Sequence, residues 1–261
     1  MSYLIAVTGK GGTGKTTVSA LVVQQLMARR CTPALAVDAD PNTCLDAALG
    51  VTAECTIGRL REEAREIAAK GMAGGVSKQR LLELKIAEAL VEGDGFDLIA
   101  MGRSEGPGCY CYANNVLKAS LNQLAAYYPY VVLDNEAGLE NLSRRLVQQV
   151  NAMVMVTDPS KRGLDTLKRL VTLTDEMGIA YDRLVVVANR LRNVETGREI
   201  KRNLDRELGD FLFVGLPQDD EIAERAELGE SVIGGSEGNP VVAEIDALVE
   251  NTAATCTVPS K

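Results

Sequence analysis

The chain has 261 residues, 46% hydrophobic and 25% charged, which suits one large α/β domain or two small ones with a substantial core. Its formal net charge of −8 leaves no basic footprint for nucleic acid or anionic lipid, and no apolar run approaches the ~20 residues of a membrane span. Histidine is absent, so a transition-metal site must use Cys, Asp, Glu or backbone groups, and no general base is an imidazole. Met1 leads directly into the first expected strand, so no cleaved leader and a cytoplasmic location are expected. Six cysteines without a signal peptide point to a reducing compartment, where thiols ligate metals or do redox chemistry rather than form staples.

The apolar run Leu4 to Val7 reads as a strand, and Val18, Leu21, Val22 and Leu26 read as a helix from about Thr16 to Arg30. Between them lies Thr8-Gly9-Lys10-Gly11-Gly12-Thr13-Gly14-Lys15-Thr16-Thr17, a Walker A phosphate loop in the context it requires. The glycines let backbone N–H groups turn inward around phosphates, and the helix N-terminus adds favourable potential for an anion. Lys15 is placed to reach the β- and γ-phosphates, and the Thr16 hydroxyl to ligate Mg²⁺. Lys10 stands where the strand has just ended, pointing away from its own cradle. It has no evident task within one chain.

A second buried strand ends in Asp38-Ala39-Asp40-Pro41-Asn42, which puts two carboxylates in the crevice where α/β sheets bind ligands. Asn42 or Thr43 is expected to cap the next helix. Residues 51–95 are the least legible: a charged helical stretch from Thr56 to Lys70, a break at Gly71-Met72-Ala73-Gly74-Gly75 and an amphipathic helix from Leu81 to Leu90 suggest a solvent-exposed insertion or interface. Phe96 to Gly102 is another strand, running into Arg103-Ser104-Glu105-Gly106-Pro107-Gly108-Cys109-Tyr110-Cys111-Tyr112, with a helix expected from about Ala113. Tyr130 to Asp134 is a Walker B-like strand whose terminal Asp134 supports the Mg²⁺ water shell. Strands at Ala152 to Thr157, Leu184 to Arg190 and Phe211 to Asp219 follow, and Asp158-Pro159-Ser160 opens a helix to about Met177. The alternation predicts a mostly parallel sheet of seven or eight strands with helices on both faces, a three-layer P-loop α/β fold. Residues 1–251 are read as one ATPase domain and 252–261 as a frayed tail.

Cys109 and Cys111 share a face in turn or extended backbone, and the preceding Gly-Pro-Gly delays any helix until after them. Both sulfurs can converge on one ion, but two thiolates half-fill a tetrahedral shell. With no histidine to complete it, the simplest closure is a two-fold axis bringing the same pair from a second chain. A redox pair and plain small-residue packing are the competing readings; Cys31, Cys44, Cys55 and Cys256 are isolated and expected to be inert.

The G-K-G-G-T-G-K-T-T loop resembles the deviant Walker A of the Fe-protein/Min/ParA ATPases. That resemblance implies ATP/ADP binding by residues 9–17, Mg²⁺, and a homodimer in which Lys10 reaches the partner's nucleotide. It makes Lys10, Lys15 and Asp40 catalytic, with Asp40 orienting the attacking water in switch I and Asp38 nearer Mg²⁺. Asn135 to Gly138 becomes switch II, with Glu136 and a Gly138 N–H free for the γ-phosphate. Asn189 matches an asparagine that bonds the adenine edge, while Pro217, Gln218 and Asp219 match the segment packed on the base. Gly102 to Leu117, with its Cys-Tyr-Cys, narrows the resemblance to the nickel-maturation ATPases of carbon monoxide dehydrogenase. This branch implies one Ni²⁺ or Zn²⁺ held between subunits and a client that is carbon monoxide dehydrogenase or acetyl-CoA synthase.

Two other functions stand beside it. An Fe-protein-like electron donor would bridge its subunits with an Fe–S cluster, yet switch II here carries no cysteine. A positioning ATPase of the Min or ParA sort would need a membrane-binding tail or a basic DNA surface, and the charge opposes both.

Overall fold

A computed structural model of the chain describes residues 2–60, 62–63, 84, 86–102, 122–138, 149–235 and 238–253. The strands are β1 (Tyr3–Gly9), β2 (Ala34–Asp38), β3 (Val91–Glu92), β4 (Phe96–Ala100), β5 (Tyr130–Asp134), β6 (Gln149–Thr157), β7 (Ala180–Leu191) and β8 (Leu212–Pro217). They form one sheet in the order β3-β4-β2-β5-β1-β6-β7-β8. Every neighbouring pair is parallel except β3 with β4. The helices are α1 (Lys15–Ala28), α2 (Leu45–Leu49), α3 (Lys161–Glu176), α4 (Val194–Leu204), α5 (Asp220–Leu228) and α6 (Pro240–Thr252). The chain leaves β1 for one side of the sheet and later returns to the other, so the C-terminal end of β1 is a topological switch point.

Alternation along the strands builds the two interfaces. Ile5, Val7, Val154, Val156, Val185 and Val187 pack under α1 and α6, against Leu21, Leu26, Ile245 and Leu248. The intervening residues Ala6, Met153, Met155, Leu184 and Val186 pack under α3 and α4, against Leu167, Leu170, Ile200 and Leu204. Both faces are covered, which is why these strands read as unbroken apolar runs. Each buried aliphatic side chain contributes roughly 1.5–3 kcal/mol. Ser160 caps α3, its side chain accepting from Gly163 N at 3.0 Å, as the sequence predicts for a helix opening at that point.

Three expectations are corrected. Residues 51–95 are not all exposed insertion: Ile57, Leu60, Ile86 and Ala89 are buried and form a third cluster with Ile99 of β4. Where the amphipathic pattern ends, Val91–Glu92 pairs antiparallel with β4, because Gly95, at φ 82, closes a tight hairpin. The helix after Asp40 is not capped by Asn42 or Thr43. Thr43 takes φ 50, and the carboxylate of Asp38 reaches over from β2 to accept from Cys44 N and Leu45 N, both at 2.9 Å.

Candidate functional site

The phosphate loop turns sharply at the end of β1. A Cβ on Gly9 would lie 2.2 Å from the Val156 carbonyl of the neighbouring strand, so only glycine lets the chain leave the sheet there. Gly14 takes φ 93 as the residue before α1. Lys15 is 8% exposed, and its Nζ donates to the Lys10 carbonyl at 3.3 Å, which curls the side chain over the loop. Thr13 Oγ1 also donates to that carbonyl, at 2.8 Å, and closes the turn.

Lys10 finds a partner within its own chain, which the sequence did not predict. Its Nζ lies 3.7 Å from Asp158 Oδ2 of the same chain, just past β6, with both side chains partly open to solvent. Burial raises the Asp158 carboxyl, but hydrogen bonds from Ser160 and the Lys10 ammonium outweigh it and hold the group below the ordinary range. The sequence marks Asp158 only as the start of a helix, although it is a strand-end carboxylate of the same kind as Asp38.

Asp38 and Asp134 are register partners on β2 and β5, so both project toward α1, and both are 1% exposed. Asp134 accepts from Thr16 Oγ1 at 2.7 Å and Ser19 Oγ at 3.0 Å. Burial pushes its carboxyl up to about 7, with the Asp38 charge adding to the rise while the Thr16 and Ser19 hydroxyls and Lys15 oppose it. Asp38 is also raised by burial, against hydrogen bonds from the Leu45, Asp40 and Cys44 amides. Ser19 was missed, although it lies one turn beyond Thr16 on the same face of α1. A hydroxyl and two buried carboxylates are an all-oxygen donor set that suits Mg²⁺, which binds one or two carboxylates beside phosphates and water.

Asp40 is half-buried at the rim; its Oδ1 accepts from Asn42 N at 2.9 Å and Nδ2 at 3.0 Å. Glu136 is half-buried and follows the fully buried Asn135. Gly138 differs from expectation: its N–H donates to the Gly9 carbonyl at 3.2 Å, and its carbonyl accepts from Thr8 Oγ1 at 2.6 Å. Gly138, expected to have its N–H free, is thus latched to β1.

On the other side of the loop a cleft of about 470 Å³ lies between α1 and α5. Val18, Leu21 and Ile222 supply apolar wall, and Asn189, Pro217, Gln218 and Asp219, all four expected there, line it together with Arg190. The size suits a small-molecule site. Asp219 also caps α5 through Ile222 N at 2.8 Å and accepts from Asn239 Nδ2 at 2.8 Å. The Asn189 amide donates to the Thr13 carbonyl at 2.8 Å.

Cys109 and Cys111 lie outside the described residues, and among the described residues no group of three or more Cys, Asp or Glu side chains gathers that could hold a metal ion. Cys44 and Cys55 are free. Cys31 is disulfide-bonded, which corrects the expectation that none of the six forms a staple. It is 3% exposed and belongs to the core cluster packed under α1 and α6. Among the described residues no helix is long and apolar enough to cross a membrane.

Residues 4–232 match the profile of the CobQ/CobB/MinD/ParA nucleotide binding domain. The chain is 41% identical over 248 residues to an uncharacterised ATP-binding protein of Methanocaldococcus jannaschii, covering 95% of this chain and 97% of that one. It is 30% identical over 199 residues to the carbon monoxide dehydrogenase accessory protein CooC of Rhodospirillum rubrum, covering 72% and 74%. Among solved structures, a ParA family ATPase from Chlorobium tepidum superposes with a TM-score of 0.69 at 18% identity, covering 94% and 96%.

Proposed function

The chain belongs to the CobQ/CobB/MinD/ParA nucleotide-binding family, and from that premise we propose that it is a homodimeric, Mg²⁺-dependent ATPase that carries nickel or zinc between its subunits. Its client is carbon monoxide dehydrogenase or an acetyl-CoA synthase. The observation that carries this reading is Cys109-Tyr110-Cys111 in a chain 30% identical to a carbon monoxide dehydrogenase accessory protein. Residues 1–251 are taken as one ATPase domain and 252–261 as its tail, of which Thr252 and Ala253 are still packed at the end of α6.

Lys15 and the loop amides bind the triphosphate. Thr16, Asp134 and Asp38 would hold Mg²⁺, and the ion would neutralise phosphate charge. Asp40 orients the attacking water. Lys10 exchanges Asp158 for the partner's triphosphate, where a cation facing the transferred phosphoryl is worth ~10³–10⁵ in rate. One rigid-body closure then moves the nucleotide and cargo sites together, and the coupling is reciprocal: whatever ATP does to metal affinity, metal does to ATP affinity.

The test is metal content and mass of the purified full chain, with and without ATP, for the parent and for Lys10→Ala, Cys109→Ser and Cys111→Ser. One nickel or zinc per dimer, lost in either cysteine variant with ATP binding intact, supports the reading. Lys10→Ala should bind ATP but not hydrolyse it or dimerise. A colourless, metal-free protein that still dimerises with ATP would favour the positioning-ATPase alternative; a brown protein would favour the Fe–S electron donor. The reading also requires that neither Cys109 nor Cys111 be the disulfide partner of Cys31. Peptide mapping that joined Cys31 to Cys109 or Cys111 would end it.

A further inference from the structure

β7 ends in a bulge. Ala188 pairs with Gly215 and Leu191 with Pro217, so Asn189 and Arg190 together face a single residue of β8. Arg190 takes φ 60, a left-handed conformation that a side chain adopts at some cost. Asn189 Oδ1 holds it there by accepting from Arg190 N at 2.9 Å. From this bulge two side chains reach the outside of the phosphate loop. Asn189 Nδ2 donates to the Thr13 carbonyl at 2.8 Å, and Arg190 Nη1 to the Gly12 carbonyl at 3.2 Å. The approach is close: a Cβ on Gly14 would lie 2.4 Å from Asn189 Nδ2.

A carbonyl and the N–H that follows it belong to one planar unit and point in opposite directions. Holding the Gly12 carbonyl toward Arg190 therefore turns the Thr13 N–H the other way. Holding the Thr13 carbonyl toward Asn189 does the same for the Gly14 N–H. These amides belong to the loop that cradles phosphate. We propose that Asn189 and Arg190 are positioning residues for the phosphate loop, orienting the Thr13 and Gly14 amides toward a nucleotide's phosphates whatever base it carries. The inference rests on the nucleotide-binding reading of this site and assigns Asn189 a task separate from the base edge.

The experiment measures dissociation constants of ATP, ITP and GTP for the parent, Asn189→Ala, Arg190→Ala and Arg190→Lys. Loss of one such hydrogen bond should weaken all three nucleotides by the same factor, about three- to tenfold, leaving the ATP-to-ITP ratio unchanged. Arg190→Lys, which keeps a donor and the charge, should recover part of the loss. Amide hydrogen exchange at Thr13 and Gly14 should quicken in Arg190→Ala. Its melting temperature without nucleotide should not move, because Arg190 is exposed. A changed ATP-to-ITP ratio in Asn189→Ala with parental exchange at Thr13 and Gly14 would overturn the proposal in favour of base recognition. Unchanged affinities in both alanine variants would also overturn it. Should Asn189→Ala not fold, Arg190→Ala decides alone. A parent that bound none of the three nucleotides would sink the underlying reading, and this one with it.

Discussion

Asp38 and Asp134 stand side by side on adjacent strands, equally buried and facing the same helix, yet they are held in different ways. Three backbone amides hold Asp38: Asp40 N at 3.0 Å, and Cys44 N and Leu45 N at 2.9 Å each. Two side-chain hydroxyls, Thr16 and Ser19, hold Asp134. A backbone amide only donates, and its direction is set by the chain, so Asp38 is built into the turn that starts α2. A hydroxyl rotates and can offer a lone pair instead, so the Asp134 side of the pair can admit a cation without moving the backbone. Two carboxylates at matching strand ends thus differ in the kind of donor that holds them.

The largest effect that would break this contrast is on chemistry. Asp134→Asn should lower Mg²⁺-dependent ATP hydrolysis by at least about 100-fold, the scale of losing one preorganised electrostatic group. Phosphate release measures it; a rate within a few-fold of the parent would make Asp134 dispensable. The same variant should raise the stability of the cation-free protein. The folded-state carboxyl sits at about 7, above its ordinary 3.8. Protonation therefore favours the fold, fully at pH below the ordinary value, and this support fades as pH rises through about 7. The stability advantage of the Asp134→Asn variant over the parent should grow from about pH 4 to about pH 7 and then level. Urea unfolding in a chelator across that range reads it.

Asp38→Ala should act the other way, costing roughly 2–3 kcal/mol of stability at neutral pH by leaving three amides without their acceptor. Urea unfolding of this variant would show no loss if the capping account were wrong. Next in size is pH itself: a proton and Mg²⁺ compete for Asp134, so Mg²⁺-nucleotide affinity should be about ten-fold weaker at pH 6 than well above pH 7. Calorimetric titration at fixed ionic strength would record this. The smallest effect is Ser19→Ala. Removing one hydroxyl from the Asp134 carboxylate should shift that pH midpoint upward and weaken the complex by about 1 kcal/mol. A midpoint that stays put would mean Thr16 alone holds the carboxylate.

Much of this site is legible in the residues. The glycine spacing, Lys15 and Thr16 identify the loop, and apolar runs ending in Asp38 and Asp134 identify the rim, because a strand of a covered parallel sheet must be apolar until it leaves the core. The partners of those residues are less legible. Ser19 carries no signal beyond its helical spacing, and Asp158 meets Lys10 only because β6 lies beside β1. The burial of Ile57, Leu60, Ile86 and Ala89 was hidden because that stretch packs on β4 at the sheet's edge rather than in its own helical frame.

By itself the amino-acid order determined the alternation of strand and helix, the phosphate loop and the position of its second lysine, since each depends on neighbours within a few bonds. Only the folded sheet decided which strand ends meet: that Asp38 caps a helix, that Asp134 sinks beside α1, and that β7 grips the loop carbonyls through Asn189 and Arg190. Those outcomes turn on strand order and on a bulge far along the chain from the loop it holds, at sequence separations of 176 and 178. Local periodicity carries no information over such distances, because the groups come together only when the sheet is assembled.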